Sequence, residues 1–157
     1  MKKLSLMLLL IFSLFTTIGS PSAFAHTNNS EGYSNIEVNA KSINYELKVD
    51  LTELGHAMNQ ERANQQLYNT EIVQDYINSH IDLYADSIKV EATLEASDVE
   101  TINDKQFAVM NLKYQLEDTP EKLVLDYNMF LDDSDPSHAN YATVTLDGKQ
   151  QEDILTF

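Results

Sequence analysis

Residues 43–50 read Ile43-Asn44-Tyr45-Glu46-Leu47-Lys48-Val49-Asp50, with every apolar side chain on an odd position and every polar one between. A period of two places alternate side chains on opposite faces of an extended chain, so this stretch predicts a strand with one face in a core and the other in water. Asp50 then opens Asp50-Leu51-Thr52-Glu53, in which an aspartate precedes a glutamate by three positions. That spacing is a capping box and predicts a short helical turn running to about Met58. Residues 59–68 are rich in Asn and Gln, carry Arg62 as their sole base and show no apolar period, as in a polar loop or a frayed helix extension.

Further along, Asn69 can cap a segment in which Ile72, Val73, Tyr76, Ile77, Ile81 and Tyr84 recur at three to five positions. Those residues share one face of a helix, predicted over about 70–85. The period then returns to two in Ile88, Val90, Ala92 and Leu94. Phe107-Ala108-Val109-Met110 is apolar on both parities and predicts a central strand covered on both sides within 106–117. Thr119-Pro120 marks a turn, 123–131 alternate again, 141–146 form another strand, and Asp147-Gly148 is a hairpin signal before a last strand over 150–157. The chain therefore reads as mainly β, an antiparallel β-sandwich of about seven strands with one inserted helix, in a single domain over 32–157.

The first 25 residues carry Lys2 and Lys3, an apolar run from Leu4 to Phe15, no acid, and the small-x-small end Ala23-Phe24-Ala25. This is the order of an export signal, and the run is shorter than the roughly 20 apolar residues that span a bilayer. Export outside the cytoplasmic membrane and a mature start at His26 follow as expectations, with 26–31 a flexible lead-in. Across 157 residues there are 25 acidic against 10 basic side chains, a formal charge of −15, and removing the two lysines of the signal makes it more negative. Such a surface repels nucleic acid and anionic lipid and favours cations or proteins as partners. The absence of Cys excludes thiolate catalysis, zinc-thiolate sites and redox motifs.

Four histidines remain as candidates. His80 sits on the helix stripe and reads as a packed side chain, and His56 follows Gly55 at the end of the short turn, where it can cap carbonyls. His138 ends Asp132-Asp133-Ser134-Asp135-Pro136-Ser137-His138, which sets three carboxylates within six residues of an imidazole in a loop between two strands. The bland reading of that loop is a solvated acidic turn; calcium is a weaker one, because the glycine and distal glutamate of an EF-hand loop are missing. At His26, cleavage would expose an α-amino group whose ordinary pKa of about 7.7–8.0 leaves part of it neutral. The amine and Nδ1 of one residue can chelate an ion, and a second imidazole would complete a three-nitrogen plane suited to Cu(II), or less tightly to Ni(II). In that reading His26 and His138 are ligands, with Asp133 or Asp135 orienting the His138 ring. A chance placement of His26 after the cleavage site is the alternative. Nucleophile elbows, phosphate-cradling glycine loops and paired zinc-ligand histidines are missing from the sequence, so an enzyme is the minority reading.

Taken in order, Ala25-His26, the pair of strands around 34–49, Asp50-Leu51-Thr52-Glu53-Leu54-Gly55, the helix with Tyr76-Ile77, and Phe130-Leu131-Asp132-Asp133-Ser134-Asp135-Pro136-Ser137-His138 followed by Asn140 resemble the extracytoplasmic N-terminal region of HupE/UreJ-type membrane proteins. The resemblance covers nearly all of the mature chain. It implies a non-enzymatic exported module, an adjoining bundle of transmembrane helices as partner, and an association with hydrogenase and urease systems and hence nickel transport. No apolar stretch of spanning length follows in this sequence, so the expectation is either a free-standing relative of that domain or a fragment of a longer reading frame. An independent secreted copper-binding protein using His26 is the competing expectation.

Overall fold

The computed structural model describes residues 30–58, 70–130, 138–146 and 148–155. Strand β1 (Glu31–Asn39) turns into β2 (Ser42–Asp50), which leads through α1 (Leu51–Ala57) to α2 (Thr70–His80). Then come β3 (Ile81–Ala85), β4 (Ile88–Val90), β5 (Ala92–Ile102), β6 (Lys105–Gln115), β7 (Leu123–Tyr127), β8 (Ala139–Leu146) and β9 (Lys149–Leu155). They form a six-stranded sheet in the order β5-β6-β2-β1-β8-β9 and a three-stranded sheet in the order β4-β3-β7. The expectation of a mainly β chain is met. That of a purely antiparallel arrangement with about seven strands is corrected: nine strands stand among the described residues, and β1 and β8 run parallel.

Alternation in β2 does what its sequence requires. Ile43, Tyr45, Leu47 and Val49 are all within 1 % of complete burial, while their neighbours face outward. Its register with β6 pairs Val49 with Ala108, Leu47 with Met110 and Tyr45 with Leu112, so that the inner face of this pair is continuous and apolar. Double-sided cover in β6 is confined to Phe107 and Ala108; from Val109 onward the strand alternates. Buried residues of both sheets and both helices, among them Ile81, Leu83 and Tyr127 from the smaller sheet, belong to one core. Asp50 caps α1 by accepting from the amides of Thr52 at 2.8 Å and Glu53 at 3.2 Å, as its place before the helix demands.

The main helix stops at His80, five residues short of the expected end. Ile81 and Leu83 satisfy a period of two as well as the tail of a helical stripe, and the β3–β7 ladder, with Ile81 opposite Tyr127 and Leu83 opposite Leu125, supplies their backbone hydrogen bonds. Asn128 N donates to His80 O at 2.8 Å where the helix passes into the strand. Gln74 and Asn78 tie α2 to the edge of the large sheet through the backbone of Leu94 and Ala92.

Two tight hairpin turns are built without glycine. Asp86 and Ser87 have φ of 50° and 74°, and Asn103 and Asp104 have 50° and 65°, the left-handed pair that two-residue hairpins prefer. Asp86 repays its strain by accepting from the amides of Lys122 at 2.9 Å and Glu121 at 3.3 Å. Ser87 is exposed and has no such role. Ser87→Gly is therefore expected to raise stability by about 0.5–1 kcal/mol, measured by urea denaturation. A loss of stability would show that the turn is held by something other than its backbone preference. The β8–β9 hairpin forms where the Asp-Gly signal stands, with Gly148 at φ 72° and Leu146 opposite Lys149.

Candidate functional site

The parallel β1–β8 pair sets Glu31 beside Ala139 and Gly32 beside Asn140, so the two strands begin side by side at one end of the large sheet. Ala139 N donates to Ser30 O at 3.2 Å and closes that end. Along β1 the inward parity runs Gly32, Ser34, Ile36, Val38; along β8 it runs Asn140, Ala142. Small and polar groups thus face inward only at the start of both strands, where the expected apolar residues give way to Ser34 and Asn140.

There they form a buried hydrogen-bonded knot. Ser34 Oγ donates to Asn140 Oδ1 at 2.6 Å and lies 2.7 Å from the Tyr45 hydroxyl on β2. His138, 2 % exposed, has Ser30 Oγ at 2.7 Å from Nδ1 and the Tyr127 hydroxyl of the smaller sheet at 3.0 Å from Nε2. One imidazole therefore connects the residue before β1, the residue before β8 and the end of β7. The ring of Phe130 meets that of His138 edge-on at 4.7 Å, and Tyr127 stacks on it at 5.8 Å. Phe130 is fully buried at φ 69°, a left-handed conformation that costs a non-glycine residue on the order of 1 kcal/mol and is held here by packing.

Gly32 is what makes the close approach feasible. A Cβ at that position would lie 2.6 Å from Asn140 Nδ2 and 3.2 Å from both Cε1 and Nε2 of His138. Asn140 Nδ2 itself is buried, and among the described residues no group meets it at full hydrogen-bond geometry. Burial pushes the Tyr127 phenol well up, with the neighbouring Asn140 amide offsetting a part, and burial likewise raises Tyr45. Both phenols stay protonated across the physiological range, so they serve the knot as neutral hydroxyls.

Ser30 and His138 have the spacing of a hydroxyl and its base, and they are 4 % and 2 % exposed. Of the residues expected to hold a metal, His26, Asp133 and Asp135 lie outside the described residues, so their approach to His138 is not among the described contacts. The acidic loop before His138, 131–137, lies outside the described residues, while His138 itself is buried, with a hydroxyl within 3.0 Å of each ring nitrogen. A metal at either nitrogen would have to displace one of them. Among the described residues no group of three His, Asp or Glu side chains could hold a metal ion. His80 is packed as expected, its ring 4.2 Å from that of Tyr76 and its Nδ1 2.8 Å from Tyr76 O. His56 is exposed in the last turn of α1.

Ser30, Ser34, Tyr45, Tyr127 and Asn140 were not expected to act together. The available signal was parity: a polar side chain at an inward position of a strand must find partners inside. No protein-family model matches the chain, and no curated protein matches it.

Proposed function

We propose that this chain is an exported, non-enzymatic β-sandwich module that presents Cu(II), or less tightly Ni(II), at the sheet end where β1 and β8 begin, for transfer to a membrane partner. The two sheets are read as the halves of the sandwich, an assignment supported by the core they share. The observation that carries the functional reading is the parallel β1–β8 register. It sets Glu31 beside Ala139, and Ser30 O accepts from Ala139 N, so the described chain enters both strands side by side. In sequence His26 precedes Ser30 by four residues, a reach of at most about 14 Å, and Asp135 precedes His138 by three. The amine and imidazole of His26 are the nitrogen donors in this reading, and Asp133 and Asp135 supply nearby oxygens. In this reading His138 serves beneath the ion as a buried anchor, with Ser30 Oγ 2.7 Å from Nδ1 and the Tyr127 hydroxyl 3.0 Å from Nε2. Nickel and a membrane partner agree with what the HupE/UreJ resemblance implies.

The test is a Cu(II) titration, by calorimetry and visible absorption, of protein starting at His26 and of the same protein with its α-amine acetylated. The unblocked form is expected to bind one equivalent, and acetylation to weaken binding by at least about tenfold, since the acetylated nitrogen is no longer an amine donor that closes a chelate with the imidazole. Equal affinity of the two forms would remove the proposal.

A further inference from the structure

The outer face of the six-stranded sheet carries a second arrangement, on the side away from the buried knot. Tyr33 and Tyr141 stand opposite each other on β1 and β8, 40 % and 42 % exposed, with ring centroids 5.8 Å apart and planes 26° apart. Phe107 supports Tyr33 edge-on at 5.9 Å, and the Tyr33 hydroxyl donates to Glu31 Oε2 at 3.1 Å. The pair is thus an aromatic platform, partly open to solvent, on a face that also carries Phe107 and Val109 beside its polar positions.

Two residues farther along the strands, about 7 Å, the next row brings Asn111 of β6, Glu46 of β2, Asn35 of β1 and Thr143 of β8 into line. Asn35, Asn111 and Asn44 line an open trough of about 320 Å³ together with Glu37, Glu46 and Glu95. Glu95 occupies the bulge between Leu94 and Ala96 on β5. Two of the trough's acids face lysines, Glu46 with Lys48 at 3.7 Å and Glu95 with Lys113 at 3.4 Å, while Lys48 lies closer, at 2.7 Å, to Glu100 outside the trough and Glu37 faces no lysine among the described residues. The trough therefore keeps an excess of acid, which disfavours an anion and leaves carboxylates beside the amides to accept from hydroxyls. Amides that both donate and accept, beside an exposed ring platform, match an uncharged ligand with adjacent hydroxyls and an apolar ring face.

We propose that this face binds an uncharged, extended pyranose chain, one sugar lying with its C–H face on Tyr33 and Tyr141 and the next hydrogen-bonding in the trough. The proposal is independent of the metal reading, because it uses none of the residues which that reading needs. Cellohexaose, xylohexaose and the hexamer of N-acetylglucosamine are the probes, each titrated calorimetrically into the mature protein at low and high salt. Saturable binding of at least one is expected, unchanged by salt, weakened about tenfold by Tyr141→Ala and largely retained by Tyr141→Phe. Asn111→Ala, at an exposed trough position, is expected to weaken it as well and serves as the reading variant if Tyr141→Ala loses its strand circular dichroism. Failure of all three probes to bind, binding that vanishes at high salt, or affinity indifferent to these substitutions would overturn the proposal.

Discussion

Gly32→Ala is expected to destabilise the protein by about 3 kcal/mol, although it adds one methyl group to a strand that ordinarily favours alanine over glycine. The new Cβ would meet Asn140 Nδ2 at 2.6 Å and the His138 ring at 3.2 Å. Neither neighbour can withdraw cheaply. Asn140 is completely buried and held by Ser34 at 2.6 Å, and His138 is bound at both nitrogens and packed between Phe130 and Tyr127. Relief would require β1 and β8 to separate where they begin, which gives up the Ala139 to Ser30 hydrogen bond. Urea denaturation measures the change. A loss below about 0.5 kcal/mol would show that the knot is loose enough to absorb a methyl group, and the tight junction would have to be abandoned.

His138→Ala is expected to cost as much or more, about 3–4 kcal/mol. It removes the atoms that fill the space between Phe130 and Tyr127 and leaves the hydroxyls of Ser30 and Tyr127 buried without that partner. Tyr127→Phe removes only one of these hydrogen bonds, with an expected cost of about 1–2 kcal/mol. Because both changes break the same contact, the double variant is expected to lose less than the sum of the two. The comparison separates an anchor from a ligand. An exposed metal-binding imidazole would lower metal affinity on replacement and leave the urea midpoint of metal-free protein unmoved, whereas the buried post lowers that midpoint without any metal present.

Much of this fold is legible where a single period governs a segment. In β2 the alternation of Ile43, Tyr45, Leu47 and Val49 decides both the strand and its buried face, and Asp50 followed by Glu53 marks the helix start to the residue. Legibility fails where two periods are satisfied at once: Ile77 and Ile81 are four apart as on a helix, but Ile81 and Leu83 are two apart as on a strand, and pairing with β7 decides the outcome. It fails again for the parallel β1–β8 pair, because strand direction depends on which distant segments meet and leaves no local mark. In the candidate site, His138 and the segment before it attract attention as an acidic loop beside an imidazole. Its burial depends on Ser30, 108 positions away, and on Tyr127 from the other sheet. Ser34 and Asn140 are marked only as polar residues on an inward parity, a signal that becomes readable once the register is known.

Paramagnetic broadening by Cu(II) tests the central claim most directly. One equivalent is added to isotopically labelled protein that starts at His26, and amide signals are compared with those of the form whose α-amine is acetylated. Broadening is expected at the start of β1, which follows from any ion at His26, and equally at Ala139, Asn140 and Tyr141 on the neighbouring strand, while Val38 and Leu146 at the far end of the same pair stay sharp. Broadening that spares Ala139 to Tyr141, or that centres on the far end of the sheet, would contradict an ion presented where β1 and β8 begin.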